Sequence, residues 1–327
     1  MMDRRTFVGT AVCGLLAFPL AANGQPPGKT ARVGFLVFAP REALNNVPAM
    51  VDRLRALGYV EGRNVILDFR HADSEERFRE LAAELVAIGV RVIFAPGSHA
   101  IRAARAATTT LPIVGLDNEI DPVAAGYAAS LARPGGNVTG VFLDQPEVSA
   151  KQLQLLKEMV PALTRVAVLW DATVGTAQRE AVDDAARRLG ITVSSIVWTG
   201  PDALPGALRS ATQDGARGLI VLSSPRILTT KNRPLVADAA LKNRLPAIGL
   251  TSLFARDGLL IAYGPVQLDM YRSAATLIAK ILDGSRPADL PIERPVQFAL
   301  VINLKIATAL GLTVPQSVLL RADHVIQ

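Results

Sequence analysis

Cysteine is all but missing from this sequence: among 327 residues only Cys13 carries a thiol. Disulfides, thiol catalysis and cysteine-ligated metals are therefore excluded for everything that follows it. Histidine is nearly as scarce. His71, His99 and His324 are the whole supply, and their wide spacing offers little to acid–base or metal chemistry. Aromatic residues make up 5% of the chain, few enough that each is worth placing. After residue 25 no apolar run approaches the roughly 18 residues that a bilayer-spanning helix needs, so the body of the chain is expected not to span a membrane. No nucleotide-binding glycine pattern opens a helix, and no nucleophile elbow is present. The acidic alternation Asp117, Glu119, Asp121 lacks the glycine and the ligand count of a calcium loop. These absences predict no catalytic residue, no cofactor and no metal.

What is present points to export and to two domains. Arg4 and Arg5 precede an uncharged stretch over residues 7–22, and Ala22 and Gly24 supply small residues at peptidase spacing. A basic start, an apolar middle and a small-residue exit predict a signal peptide over residues 1–24 and a periplasmic destination. Arg4-Arg5-Thr6-Phe7 resembles the twin-arginine export motif, although Val8-Gly9 depart from its usual end. Val12 before Cys13 fits a lipoprotein acylation site poorly. Loss of this segment lowers the net charge of +6 by one. The cationic pairs Arg53 and Arg55, Arg102 and Arg105, Arg187 and Arg188, and Lys242 and Arg244 are scattered over helix exteriors and ends. None is interleaved with aromatics, so a solvated surface is expected rather than a nucleic-acid face. Half of the residues are hydrophobic, ample for two cores, and domains of about 100 to 200 residues make two the natural division.

Along the chain, strand and helix signals alternate. Residues 32–38 form a short, mostly apolar run of the kind that a strand covered on both faces requires. Val47, Met50, Val51, Leu54 and Leu57 recur at helical spacing and stop at Gly58. A strand at 64–70 precedes a helix whose inner face is Phe78, Leu81, Ala82, Leu85 and Val86, with Asp73 and Glu76 as a capping pair. Strands at 90–95, 112–116 and 138–143 alternate with helices near 98–107 and 122–131. A second set begins after residues 144–146. Its helices at 149–160, 176–189, 202–213 and 232–242 alternate with strands at 165–170, 192–197, 218–222 and 246–250. The tail adds a strand at 259–262, a long helix over 268–282, a strand at 298–303 and a helix at 304–310. Such alternation predicts the α/β class, with two doubly wound parallel-sheet lobes and right-handed crossovers.

Several segments in this order resemble a known family. Gly58-Tyr59-Val60-Glu61-Gly62-Arg63-Asn64, Asp121-Pro122-Val123 and Ala132-Arg133-Pro134-Gly135-Gly136-Asn137-Val138-Thr139-Gly140 come first. Arg165-Val166-Ala167-Val168-Leu169-Trp170, Tyr263-Gly264-Pro265 and Leu300-Val301-Ile302-Asn303-Leu304-Lys305 follow. Together they are similar to the ABC transporter substrate-binding family that includes the tryptophan-binding protein TrpX. The resemblance runs from about residue 31 to the end. It implies a type I periplasmic-binding fold: two lobes joined by a three-strand hinge, with a small organic solute between them and an inner-membrane ABC permease as partner. By that similarity the crossings fall near residues 144–146, 253–265 and 291–296. Lobe 1 is then 29–144 with about 266–290, and lobe 2 is 145–265 with about 291–327. His99 stands where the family often carries a smaller residue, which bears on the ligand rather than the fold.

In open parallel sheets ligands bind beyond the carboxyl ends of the strands, and the loops there supply the candidates. Ser98 and His99 open a predicted helix whose free N–H groups suit a ligand carboxylate, although Ser98 equally suits a cap. Asp117 and Asp121 are candidate partners for a ligand ammonium. Asp121 before Pro122 also suits a helix cap. Phe38, Trp170, Phe254 and Tyr263 are placed at strand ends or cleft loops where they stack on a planar ligand or pack in the core. Ser223, Ser224 and Thr251 are candidate neutral donors. The set fits a zwitterion with an apolar side chain, taken up by hinge closure. The alternatives are a periplasmic sensing subunit for a receptor kinase or chemoreceptor, and an enzyme on a two-lobed fold. A repressor core of similar architecture needs a helix-turn-helix head where this chain has a signal.

Overall fold

The continuous apolar runs become central strands. The computed structural model describes residues 30–72, 74–143 and 146–327. The expected signal peptide, Asp73 of the expected capping pair, and residues 144 and 145 of the first expected crossing lie outside them. In the first half β1 (Ala31–Val37), β2 (Val65–His71), β3 (Val92–Pro96), β4 (Ile113–Asp117) and β5 (Val138–Phe142) form one sheet in the order β2-β1-β3-β4-β5. All of its pairs are parallel. β3 and β4 are buried along nearly their whole length, because helices cover both faces of the sheet. One face carries α1 (Val47–Ala56), whose Met50 and Leu54 meet Phe35 and Phe94 in a shared core. The other carries α2 (Glu75–Ala87) and α3 (Ser98–Ala107), through Phe78, Leu81, Leu85 and Ile101. Ser74 caps α2 by accepting from the Arg77 N–H at 3.3 Å. Full burial of a ring such as Phe35 or Phe94, both 0% exposed, contributes about 2–3 kcal/mol.

The second half builds a seven-stranded sheet. Its members are β6 (Arg165–Trp170), β7 (Thr192–Val197), β8 (Leu219–Val221), β9 (Ala247–Gly249), β10 (Ile261–Pro265), β11 (Phe298–Asn303) and β12 (His324–Ile326), in the order β12-β11-β10-β9-β8-β6-β7. Only β10 and β11 run antiparallel. α4 (Glu147–Met159) and α5 (Ala177–Leu189) pack on one face, and α6 (Leu204–Gln213), α7 (Asn232–Lys242) and α8 (Ser252–Asp257) on the other. After β10 the chain leaves this sheet. α9 (Gln267–Leu282) lays Met270, Tyr271, Ala274, Ile278 and Ile281 into the core of the first sheet. The chain then returns to β11, and α10 (Leu304–Leu310), α11 (Gln316–Leu319) and β12 complete the second lobe.

The chain therefore passes between lobes three times: after β5, between β10 and α9, and before β11. The passages bond to the sheets and to one another. The Phe142 N–H donates to the Glu293 carbonyl and the Glu293 N–H to the Gly140 carbonyl, each at 2.9 Å, while the Val266 N–H donates to the Gln297 carbonyl at 2.9 Å. The second passage lies at residues 265–267 rather than across 253–265. That earlier stretch is α8 and β10, held in the second sheet by pairing with β9 and β11. Beside the hinge, β4 and β5 approach so closely that a Cβ on Gly140 would sit 2.0 Å from the Gly115 carbonyl oxygen. Only glycine fits there.

One expected element is absent. Residues 122–131 make successive turns instead of a helix. Gly126 takes a left-handed φ of 68°, the Tyr127 and Ala128 N–H groups both turn back to the Pro122 carbonyl, and the Ala129 N–H bonds the Pro134 carbonyl. A run of small residues broken by glycine has too little apolar face to hold a helix. The short elements α8, α11 and β12 go beyond the sequence reading. Among the described residues no helix is long and apolar enough to cross a membrane.

Candidate functional site

The carboxyl ends of the two sheets face each other across a cavity of about 160 Å³. Its lobe 1 wall comes from the segments after β1, β3 and β4: Phe38, Leu44 and Asn46, then Pro96 and Gly97, then Asn118 and Glu119. Its lobe 2 wall comes from the segments after β8 and β9: Pro225, Leu228, Thr229 and Arg233, then Thr251 and Leu253. Gln267 and Tyr271 of α9 close the hinge side. The walls are largely apolar, with a few convergent polar groups, which is the make-up of a small-molecule site.

The segment after β4 concentrates negative charge. Asp117 is 1% exposed and Glu119 8%. Asp117 Oδ1 accepts from the Glu119 and Ile120 N–H groups at 2.7 and 2.8 Å, while its Oδ2 has no partner. Burial pushes the Asp117 carboxyl up to about 6 from 3.8. Burial, and then repulsion from Asp117, pushes Glu119 well above the usual carboxylate range. Glu119 also ties the lobes together: the Ser223 hydroxyl donates to its Oε1 at 2.5 Å. α5 holds Ser223 in place, because the Gln178 side chain exchanges two hydrogen bonds with the Ser223 backbone at 3.0 and 3.2 Å. A second bridge is steric. Gly97, at φ 91°, would bring a Cβ to 2.9 Å from the Pro225 ring, so the glycine lets Pro225 of lobe 2 seat on lobe 1.

Of the residues singled out from the sequence, Phe38 and Thr251 line the cavity. Phe38 is braced edge-on by Phe78 at 4.6 Å and by His99 at 5.5 Å. Thr251 is 4% exposed and its Oγ1 has no partner. Ser223 forms the bridge. Ser98 and His99 do open α3, but they sit behind Gly97, at 0% and 5% exposure. Ser98 Oγ and His99 Nδ1 lack partners, and His99 Nε2 lies 3.4 Å from Glu75. Burial, and then the nearby Arg102, lowers the His99 pKa and favours the neutral ring.

The remaining candidates are engaged elsewhere. Asp121 is exposed, and its Oδ1 accepts from the Val123 and Ala124 N–H groups at 2.8 and 3.1 Å; it shapes the turn that replaces the expected helix. Trp170 donates from Nε1 to Ser195 at 2.7 Å, under the Arg179 guanidinium. Tyr263 stacks on Phe298, and Phe254 is 0% exposed in the lobe 2 core. Ser224 donates to Asp171 at 2.7 Å. The cavity wall also holds Glu119, Pro225, Arg233, Gln267 and Tyr271, which the sequence reading did not select. For Glu119 a signal existed: a third acid in a loop already rich in them. For Tyr271, on the predicted apolar face of a helix, none did.

Among the described residues no cluster of His, Cys, Asp or Glu is arranged to hold a metal ion. The arrangement is suited to non-covalent capture: an acid on one wall, an ion-paired arginine on the other, an unpartnered hydroxyl and apolar patches between them.

Comparison with known proteins agrees with this geometry. The model of the family described as ABC transporter substrate binding protein matches residues 33–326. The tyrosine-binding protein of Clostridioides difficile (strain R20291) is 25% identical over 263 residues, 77% of this chain and 72% of that protein. The structure of an ABC domain in complex with L-Trp from Streptococcus pneumonia is 25% identical, with a TM-score of 0.82 over 91% of this chain and 100% of that one. The ligand-free, open structure of a substrate binding protein with adhesive properties from Clostridium difficile is 24% identical and shares the fold, with a TM-score of 0.65 over 91% of this chain and 99% of that one.

Proposed function

This chain belongs to the ABC transporter substrate-binding protein family, and from that premise we propose that it captures an amino-acid-like solute between its lobes by hinge closure and delivers it to an inner-membrane ABC permease. The observation that carries the proposal is the bridged cleft: Ser223 bonds Glu119 from the opposite lobe and Pro225 seats on Gly97. Both contacts exist only when the lobes are together, so a ligand that adds contacts to both walls shifts the protein toward the closed state. The names of the similar proteins support an amino acid, aromatic ones first among the candidates.

Arg233 suits the carboxylate end of such a ligand. It lines the cavity while its Nε and Nη1 are bound to Asp257 and to the Leu228 carbonyl, which fixes the plane of the guanidinium and leaves Nη2. Phe38 and Tyr271 offer faces for an apolar or aromatic side chain. A micromolar affinity amounts to about 8 kcal/mol, within reach of a few charge-assisted bonds plus apolar burial. No covalent step or cofactor is needed. The signal expected at residues 1–24 supports export to the periplasm, with Arg4 and Arg5 favouring the twin-arginine route.

A thermal-shift screen of the protein lacking residues 1–24, against the twenty amino acids, aromatic acids and small carboxylates, tests this reading. At a hundredfold excess over Kd a true ligand stabilises by about 2.7 kcal/mol. A panel in which no solute shifts unfolding contradicts it.

A further inference from the structure

Glu119 and Arg233 are the charged side chains on the cavity wall, and they differ in one respect. Arg233 has its counter-ion, Asp257, at 2.7 Å. Glu119 has no counter-ion: the neutral Ser223 hydroxyl and the Asn118 N–H serve it, and it lies beside a second acid, Asp117, whose Oδ2 is unpartnered. Arg102 of α3 acts on Asp117 from within lobe 1, and Arg233 across the cavity is committed to Asp257. Thr251 Oγ1, buried and unpartnered, also lines the cavity. An acid buried this far needs a cation to remain ionised, and no cationic side chain of the protein acts on Glu119.

We propose that Glu119 is the specificity-determining residue of the cleft: its carboxylate receives the ammonium group of the ligand, so the preferred solute is an amine-bearing acid rather than a simple carboxylate. This deepens the reading above and rests on it. An ammonium at Glu119 removes the repulsion from Asp117 and offsets the desolvation of both acids. Closure over an occupant without a cation leaves the pair short of positive charge, and the pair then takes up a proton. The raised positions of both carboxyls in the closed cleft support this linkage. The sign follows: binding of a neutral-end occupant strengthens as the pH falls from neutral into the acidic range, whereas binding of the amine-bearing ligand does not.

The test is titration calorimetry in two buffers of different ionisation enthalpy. The probes are L-tryptophan, L-tyrosine and any other amino acid that the screen finds, each beside its deaminated analogue (indole-3-propionate for tryptophan). The wild-type protein is expected to prefer the amino acid by 10-fold or more, with proton uptake for the analogue alone. Glu119→Gln keeps an acceptor for Ser223, and is expected to weaken the amino acid by about 10- to 100-fold while strengthening the analogue at neutral pH and reducing its proton uptake. Equal wild-type affinity for the two, binding only of solutes without an amine, or undiminished amino-acid affinity in Glu119→Gln each overturns the ammonium assignment and leaves solute capture standing. Absence of any ligand overturns capture itself. Should the variant fail to fold, wild-type discrimination and the proton count decide the matter without it.

Discussion

Two aspartates hold corresponding places in the two lobes and are served differently. Asp117 ends β4 and Asp171 follows β6, each at the carboxyl end of a parallel strand, and each is 1% exposed. Asp171 is fully engaged. Its Oδ1 accepts from the Thr173 N–H and hydroxyl at 3.0 and 2.7 Å, its Oδ2 from Ser224 at 2.7 Å, and Arg226 lies 3.6 Å away. Asp117 has one oxygen satisfied and the other bare, with Glu119 beside it. A buried acid whose acceptor sites are all used builds its loop. One left short, next to a second acid on a cavity wall, holds charge in reserve for something that enters.

The sharpest way to break this contrast is to remove each acid. Asp171→Ala strands three donors in lobe 2, and urea unfolding is expected to show a loss of about 2–4 kcal/mol. Asp117→Asn keeps an oxygen for the two N–H groups and removes a buried charge, so stability at neutral pH is expected to hold or rise. A loss in Asp117→Asn to match that in Asp171→Ala would erase the distinction.

The next effect is on closure. Gly97→Ala places a methyl against Pro225 in backbone that already disfavours a side chain, and overpacking of this kind costs about 1–3 kcal/mol. Ligand affinity is expected to fall about 5- to 100-fold by calorimetry. Unchanged affinity would mean that the bound state does not bring Pro225 onto Gly97.

The pH dependence sharpens the same point. Asp117 is raised from 3.8 to about 6, so the folded closed protein binds a proton more readily than the unfolded chain. Its contribution is fully present below 3.8 and is lost as the pH rises through about 6. Denaturation of the ligand-free protein is expected to show stability climbing as pH falls across that window, and Asp117→Asn to flatten the climb. The smallest effect is expected at Trp170. Trp170→Phe loses the bond to Ser195, and thermal unfolding should register about 1 kcal/mol with no change in ligand affinity. A large affinity loss would put Trp170 at the ligand after all.

The architecture was legible in the sequence where the pattern was continuous: apolar runs gave the inner strands, and Gly58 closed its helix where expected. It failed at residues 122–131, where small residues mimic a helix face until Gly126 turns the chain. The strand-end rule led to loops that line the cavity, but not always to the residue within them that faces it. Ser98 and His99 lie one step behind Gly97, because Pro225 from the other lobe takes the front position. Trp170 ends β6 and Tyr263 sits in the middle of β10, and they lean on Ser195 and Phe298 within lobe 2. Tyr271 joins the wall only because α9 returns to the first lobe, a packing choice that no local pattern encodes.

Small-angle scattering of the protein lacking residues 1–24, alone and saturated with a solute that the calorimeter shows to bind, tests hinge closure most directly. The account predicts a smaller radius of gyration on binding, with a bound curve that matches the bridged structure. Identical curves with and without such a solute would contradict it.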